Sequence, residues 1–574
     1  MRKVHVGRAT WLLSLFVVAT PMMLLAGGRG NKKPVKEVAM EEQQESPQVA
    51  SIINHIIASE NLYNVKLMGF SPRIETYVQY YQPDNELGDV ATNDATFLGR
   101  LKFDGEGHEV SFVPTETPDW FHRHVAASSP TRLLGTKPHL QLDAFAMEAL
   151  MVDGHNFDRK HYTFQPVRWE YLGDVRCLVV DIHPKQNEET GAFQGRIWAE
   201  DHDFAIVRMN GTRVRPAKGS FYVHFDCWRE NLQPGEWLPV YIYSQETDLG
   251  KDLRFKSQTR LWGYDLNSHR AQQEWTTVQV DAPAPIRDSS EHSADLSPVE
   301  SARQMNMEAE QNVLDRLERA RLIAPAGSVD KVLGTVVNNL RVTNKLDGLP
   351  PVQCRVMMTS TLESFSLAYT IILSRGLIDV LPDEASLAMV LSHELAHIAL
   401  GHKLDPKFAF NDRLIVSDEQ LLSNLDFTRP QADETAADAK GIEFLKTSPY
   451  KDNLAQAGLF VRAAIDAAPR VPNMFGAHMG NGLVQDGQLM RMSALTTTAP
   501  ELKSRSVDQI SALPLGSRLQ VNAWDGSVAF TDRKTVALVD AGEKMPFRVA
   551  PVIPYLRVLS SAPKSDVSAQ NIAH

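Results

Sequence analysis

Hydrophobic and polar residues alternate in short runs through the first half of the chain, and then the period changes. Between residues 49 and 280 the runs RIETYVQYY, FLGRLKFDG, HEVSFVP, VRCLVVDIHP, AFQGRIWAE, FAIVRMNGT, GSFYVHFDCW and WLPVYIYSQ switch between apolar and polar positions. A period of two sends successive side chains to opposite faces of a strand, and Gly, Pro, Asn and Asp between the runs supply turns. The pattern predicts an antiparallel sheet, interrupted by a helical stretch near 140–152 (LQLDAFAMEALM). Residues 281–300 (DAPAPIRDSSEHSADLSPVE) are rich in Pro, Ser and Asp and read as an interdomain linker. Beyond them the apolar spacing lengthens to about 3.6 residues, the helical period. Helices are predicted over 301–323, 329–344, 383–403, 431–447 and 452–467. A strand-rich run occupies 352–374, and short strands return over 517–560.

The elements predict an α+β protein with an antiparallel, β-rich accessory domain at 49–280 and a mostly helical domain at 301–515. A β extension at 516–560 and a disordered tail at 561–574 follow. The start of the chain reads as an export signal over 1–28: Arg2, Lys3 and Arg8 precede an apolar run at 11–26, and Ala26-Gly27-Gly28 offers a small-residue cleavage site. Pro21 interrupts that run, and its length is short for a spanning helix. A polar linker, 29–48, leads into the sheet. Export to a periplasm is the expectation, with secretion or an uncleaved N-terminal membrane anchor as alternatives. Membrane contact is expected only through such an anchor.

Composition narrows the function classes. The 574 residues carry 59 Lys and Arg against 70 Asp and Glu, a net charge of −11, and no clustered basic face stands out for nucleic acid. Three cysteines exclude a disulfide framework and a Cys-rich zinc module. Cys177 and Cys227 lie in strand-like runs and fit either a disulfide or two buried thiols; Cys354 reads as core.

Residues 393–397 read His-Glu-Leu-Ala-His. Positions i and i+4 share a helix face, so His393 and His397 aim two imidazoles at one point, with Glu394 beside them. The helix starts at Leu381-Pro382-Asp383, a stop and a cap, and is otherwise apolar through Ala388, Met389, Val390, Leu391, Leu395 and Ile398. Two histidines and a glutamate on a buried helix need a partner, because unpaired buried charge is expensive. A catalytic zinc supplies one, and it takes three protein ligands with an open position. In the second acidic run, Asp-Glu-Thr-Ala-Ala-Asp-Ala-Lys-Gly at 433–441, Glu434 and Asp438 are again i and i+4. Glu434 completes a His2Glu set, and Asp438 is placed to fix the tautomer of a ligand imidazole. The three-histidine class needs Gly and His where Leu400 and Lys403 stand, so it is excluded. His402 falls one position short and reads as a cation near a helix C-terminus.

The segments SRGLIDVLPDEASLAMVLSHELAHIALGH and ETAADAKG resemble the HtpX/BepA/CAAX prenyl endoprotease family of zinc metallopeptidases over about 305–510. The resemblance implies a gluzincin-type fold with a small edge-stranded sheet. It implies one zinc ion held by His393, His397 and Glu434, with Glu394 as general base. It also implies that the strand in AYTIILSRG, including Ala368, Tyr369, Thr370 and Ile371, is an edge that pairs with an extended protein or peptide substrate. Two motifs depart from the family. Glu363-Ser364-Phe365-Ser366 replaces its Asn-Ala-Phe-Ala, and its His-Pro pair is Ala499-Pro500, although the Arg six positions on is kept as Arg505. Arg505 is therefore expected to hold substrate or the developing oxyanion. His478, in FGAHMGNG, reads as an exposed loop histidine, and His122 and His124 read as surface residues. The run YLGDVRCLVVDIHPKQNEETGAFQGRIWAEDHDFAIVRMNGT resembles the curved sheet of LolA-type lipoprotein carriers. The combined expectation is an exported zinc endopeptidase serving envelope protein quality control. Its rival is a carrier or chaperone whose metallopeptidase domain has little or no turnover.

Overall fold

The alternating half of the chain folds as one antiparallel sheet, in which neighbouring runs pair as hairpins and the first strand pairs with the last. Its strands are β1 (Arg73–Asp84), β2 (Gly88–Lys102), β3 (His108–Ser111), β4 (Tyr162–Leu172), β5 (Val175–Pro184), β6 (Phe193–Glu200), β7 (Ile206–Arg213), β8 (Phe225–Gln233), β9 (Glu236–Leu249) and β10 (Leu253–Trp262). Their order across the sheet is β3-β2-β1-β10-β9-β8-β7-β6-β5-β4. The structure is a computed structural model that describes residues 46–85, 88–102, 108–111, 149–185, 191–214, 222–249, 253–267, 298–402, 425, 427–485, 488–489, 491–506, 509–531 and 547–559. The expected signal, most of both linkers, the stretch before residue 149, His122, His124 and the tail lie outside these residues. Among the described residues, no helix is long and apolar enough to cross a membrane.

A helix precedes the sheet where none was expected: α1 (Pro47–Leu67) buries Ile53, Ile56, Tyr63 and Leu67. The pairs Ile52-Ile53 and Ile56-Ile57 carry its helical spacing, but a polar segment and the strand series flank it. Its Glu60 meets Arg229 of β8 in a buried bidentate pair at 2.6 and 2.8 Å. Cys177 and Cys227 are buried free thiols, as is Cys354.

The second half builds α2 (Pro298–Arg319), α3 (Ser328–Thr343), β11 (Gln353–Met357), β12 (Ser364–Leu367), β13 (Thr370–Ser374), α4 (Arg375–Val380), α5 (Glu384–Leu400), α6 (Gln431–Thr447), α7 (Leu454–Ala467) and α8 (Pro472–Phe475). Two small hairpins complete it, β14 (Val484–Gln485) with β15 (Gln488–Leu489), and β16 (Leu519–Val521) with β17 (Val528–Phe530). Of the short strands expected over 517–560, none forms at 547–553 (FRVAPVI): Pro551 removes a ladder donor, and Val549 makes an isolated bridge to Leu515. The sheet and the helical part belong to one compact unit.

The two halves meet along the odd-numbered face of β1. Ile74 joins the core under α1, while Tyr77 joins the core of the helical half. Arg73 Nε donates to Ala320 O at 2.7 Å. The Glu75 carboxylate accepts from the Ser360 hydroxyl at 2.8 Å and from Arg375 Nη2 at 2.6 Å. Asp94 of β2 accepts from the first backbone N–H groups of α8, at Asn473 and Met474. Polar residues that alternation would leave in water are thus buried as an interface. Glu75 is 3% exposed and Arg375 1%. Breaking a buried pair from one side leaves an uncompensated charge, so E75A should cost about 3–5 kcal/mol in chemical denaturation. E75A combined with R375M should cost less than the sum of the two single losses. A loss for E75A below about 1 kcal/mol, the value of an exposed pair, would remove the interface role.

Candidate active site

The helix α5 exists because its ends are marked and its body is apolar. The Asp383 side chain caps its first turn by accepting from Ser386 N at 2.8 Å, and Gly401 ends it in the left-handed conformation (φ 69°). Within it His393 and His397 stand one turn apart, their ring centroids 4.8 Å apart. The helix α6 crosses close beside them at Gly441, where a Cβ would lie 3.2 Å from His393 N and Cα. That close approach brings Glu434 and Asp438, also one turn apart, onto the two imidazoles.

The resulting geometry is compact. Glu434 Oε2 lies 3.2 Å from His393 Nε2, and Glu434 Oε1 lies 3.4 Å from His397 Nε2. The two Nε2 atoms are 3.1 Å apart. One donor atom from each of His393, His397 and Glu434 lies within 4.8 Å of the others. The far side of each ring is tied down: His393 Nδ1 bonds Asp438 Oδ1 at 2.8 Å, and His397 Nδ1 faces His402 Nδ1 at 2.9 Å. His402, expected as a helix-terminal cation, sits at that terminus and also contacts the His397 ring; the Gly401 turn folds it back.

These residues fit a metal ion. A carboxylate at Nδ1 of His393 requires a proton there, which leaves its Nε2 a lone pair. In the neutral ring that lone pair, the second imidazole nitrogen and the Glu434 carboxylate converge on one point. Glu434 Oε1 and Glu394 Oε2 are both buried without a hydrogen-bond partner. Converging, unsatisfied acceptors in a dry pocket call for a cation, and a His2Glu set suits zinc.

Glu394 is held beside the trio. Its Oε1 accepts from the Ser364 hydroxyl of β12 at 2.7 Å and from Arg491 Nη1 at 3.0 Å. Arg491 also gives Nε to Glu434 Oε2 at 2.9 Å. Burial pushes both carboxyls up, but Arg491 and the two imidazoles outweigh it and hold both below the usual carboxylate range. His393 is 1% exposed, and Glu394, His397 and Glu434 are fully buried.

Other expected residues are placed differently. Arg505 sits on an exposed loop, and the arginine at the carboxylates is Arg491. Only an arginine set among Leu489, Met490 and Met492 hinted at this, since no motif spacing links it to Glu434. Ala499 packs its Cβ against Gly458 of α7. His478 gives its backbone N–H to Glu363 at 3.0 Å. Ala368 (φ 47°) and Tyr369 form the turn between β12 and β13, and Thr370 and Ile371 belong to β13. Because β13 pairs in parallel with β11 and antiparallel with β12, it is the central strand; β11 and β12 are the edges, and β12 is the one beside Glu394. That edge is covered: Arg491 donates to Ser364 O, Arg429 donates to Ser366 O at 2.8 Å, and Phe427 stacks on Phe365 at 4.8 Å.

Residues 348–411 match the model of peptidase family M48. The M48 match supports a metallopeptidase function, and M48 enzymes are typically zinc-dependent. It spans β11 through α5, with His393, Glu394 and His397, and ends before Glu434. Glu434 lies beyond the matched segment, and the geometry brings it into the set. No curated protein matches the chain. A chelator-competition titration should find no tight zinc site in E434A. D438A, which frees the His393 ring, should bind zinc about 10–100-fold more weakly. Wild-type affinity in E434A would remove Glu434 from the ligand set.

Proposed function

We infer that the protein is a zinc-dependent endopeptidase that hydrolyses peptide bonds of protein substrates. The observation that carries this reading is the meeting of His393, His397 and Glu434 around lone pairs, with Glu394 Oε2 buried and unpartnered beside them. Zinc held by that trio would polarise the scissile carbonyl and acidify a water. The rest falls to the chain's own groups. Glu394, fixed through Oε1 by Ser364 and Arg491, presents Oε2 as the proton acceptor for the attacking water. The same atom returns the proton to the leaving amine nitrogen. Asp438 keeps the His393 proton on Nδ1. An extended substrate would add to the outer edge of β12 at Ser366 O, displacing the Arg429 side chain that covers it.

Arg2, Lys3, Arg8 and the apolar run at 11–26 support export, and periplasmic protein quality control is the process proposed for it. A second reading has a specific observation behind it. The site is closed, with its edge strand covered and its metal trio buried, as in a carrier or chaperone-like envelope protein with a silent metallopeptidase centre. Cleavage of an unfolded protein such as reduced, alkylated casein separates the two. Wild-type protein with zinc should cut it, chelator should stop the reaction, and E394Q should be inactive while still binding zinc. Cleavage by E394Q at the wild-type rate would overturn the assignment of the base; no cleavage by zinc-loaded wild type would favour the carrier.

A further inference from the structure

The arginine that no sequence motif announced makes the densest set of contacts at the site. Arg491 is 3% exposed. Its Nε donates to Glu434 Oε2 at 2.9 Å; its Nη1 donates to Glu394 Oε1 at 3.0 Å and to the Ser364 hydroxyl at 2.9 Å. Nη1 and Nη2 also reach Ser364 O, at 3.3 and 3.4 Å. One planar fork thus touches a metal-ligand carboxylate, the base carboxylate and the edge strand. The next residue pins the chain. Met492, in the left-handed conformation (φ 57°), gives its N–H to Asp438 Oδ2 at 2.7 Å, while Asp438 Oδ1 holds His393.

A pattern in the oxygens follows. Each carboxylate has one oxygen on Arg491. The other oxygen of each, Glu434 Oε1 and Glu394 Oε2, is buried and makes no hydrogen bond, with Glu434 Oε1 3.4 Å from His397 Nε2. A carboxylate free to rotate about its last torsion would exchange these two oxygens. The guanidinium fork prevents the exchange for both at once, which a point charge cannot do.

We propose that Arg491 is a positioning residue that holds Glu434 and Glu394 by one oxygen each, so that Glu434 Oε1 faces the metal position and Glu394 Oε2 faces the attacking water. Arg491 acts through these two groups and not on substrate. The idea deepens the peptidase reading of the same site and rests on it for turnover alone, because the hold on Glu434 also governs metal binding.

The test uses the full-length protein and zinc affinity measured by competition with a chromophoric chelator. R491K keeps the charge and loses the fork. Its zinc affinity should fall by about 10–100-fold, as for other residues that orient metal ligands. The fall should persist in the E394Q background, where no cleavage occurs. S364A removes a donor from Glu394 and none from Glu434, so its zinc affinity should stay at the wild-type value. In turnover, R491K should lose kcat and keep KM, because no substrate contact is removed. If R491K does not fold, R491A is titrated with and without methylguanidinium, which should restore zinc affinity. Wild-type zinc affinity in R491K, an equal loss in S364A, or no rescue of R491A overturns the proposal. Zinc-loaded wild type that cleaves nothing, with R491K still weakened in zinc binding, fails the peptidase reading and leaves this one standing.

Discussion

Two carboxylates that are fully buried side by side, Glu394 and Glu434, are the constraint on which the rest of this structure depends. Placed in a dry pocket without cations, they would repel each other and each would carry a desolvation cost of several kcal/mol. The fold answers with Arg491 between them and with a trio of acceptors shaped for a divalent ion. Gly441 permits the approach of α6 to α5, without which Glu434 would miss the histidines. The β14–β15 hairpin and the left-handed Met492 bring Arg491 in from a distant part of the chain. Ser364 supplies the remaining donor to Glu394 from the edge strand. Each of these local features is costly or unusual alone; together they satisfy one buried cluster.

The sheet supports that cluster at one remove. Glu75 reaches out of β1 to Ser360 and Arg375, the residues that flank β12 and β13. Asp94 caps α8 and so fixes the segment that runs on to Met479 and Gly480, whose N–H groups close on Glu363. The strands that line the catalytic helix are therefore held from the accessory half, through buried polar contacts whose geometry is specific. A purely apolar joint would have tolerated sliding; ion pairs and caps fix a register.

What was legible in the sequence follows from the range of the interactions. The helix α5, its cap at Asp383 and its paired histidines are local, and a 3.6-residue period displays them directly. The pairing of Glu434 with His393 was also readable, because both members use the i and i+4 spacing. The alternation of β1 gave the strand but misstated its polar face, since periodicity records which residues point together and not what covers them. The helix α1 was hidden by its flanks. Arg491 and the central place of β13 were not legible at all, because each depends on contacts between segments far apart in sequence. His402 stands at the helix C-terminus as its position suggested, but its contact with the His397 ring was not legible, because a left-handed glycine turns the chain just before it.

The departure at Ala499 reads differently once the site is seen whole. In sequence it is a lost histidine, with Arg505 left as the group to steady a developing charge. In the structure Ala499 rests its methyl group against Gly458, Arg505 faces outward, and Arg491 stands at the carboxylates. Its donors are spent on Glu394, Glu434 and Ser364, so it holds the machinery and contributes no free N–H to an oxyanion. Beside it on the strand edge, Arg429 has a buried nitrogen to spare: its Nη1 makes no hydrogen bond while its Nη2 covers Ser366. A substrate strand entering along β12 would take over Ser366 O, and Arg429 would then be released within reach of the bound backbone. The covered edge is thus held by two arginines with different tasks: Arg491 is tied to the carboxylates, and Arg429 guards the position a chain would take.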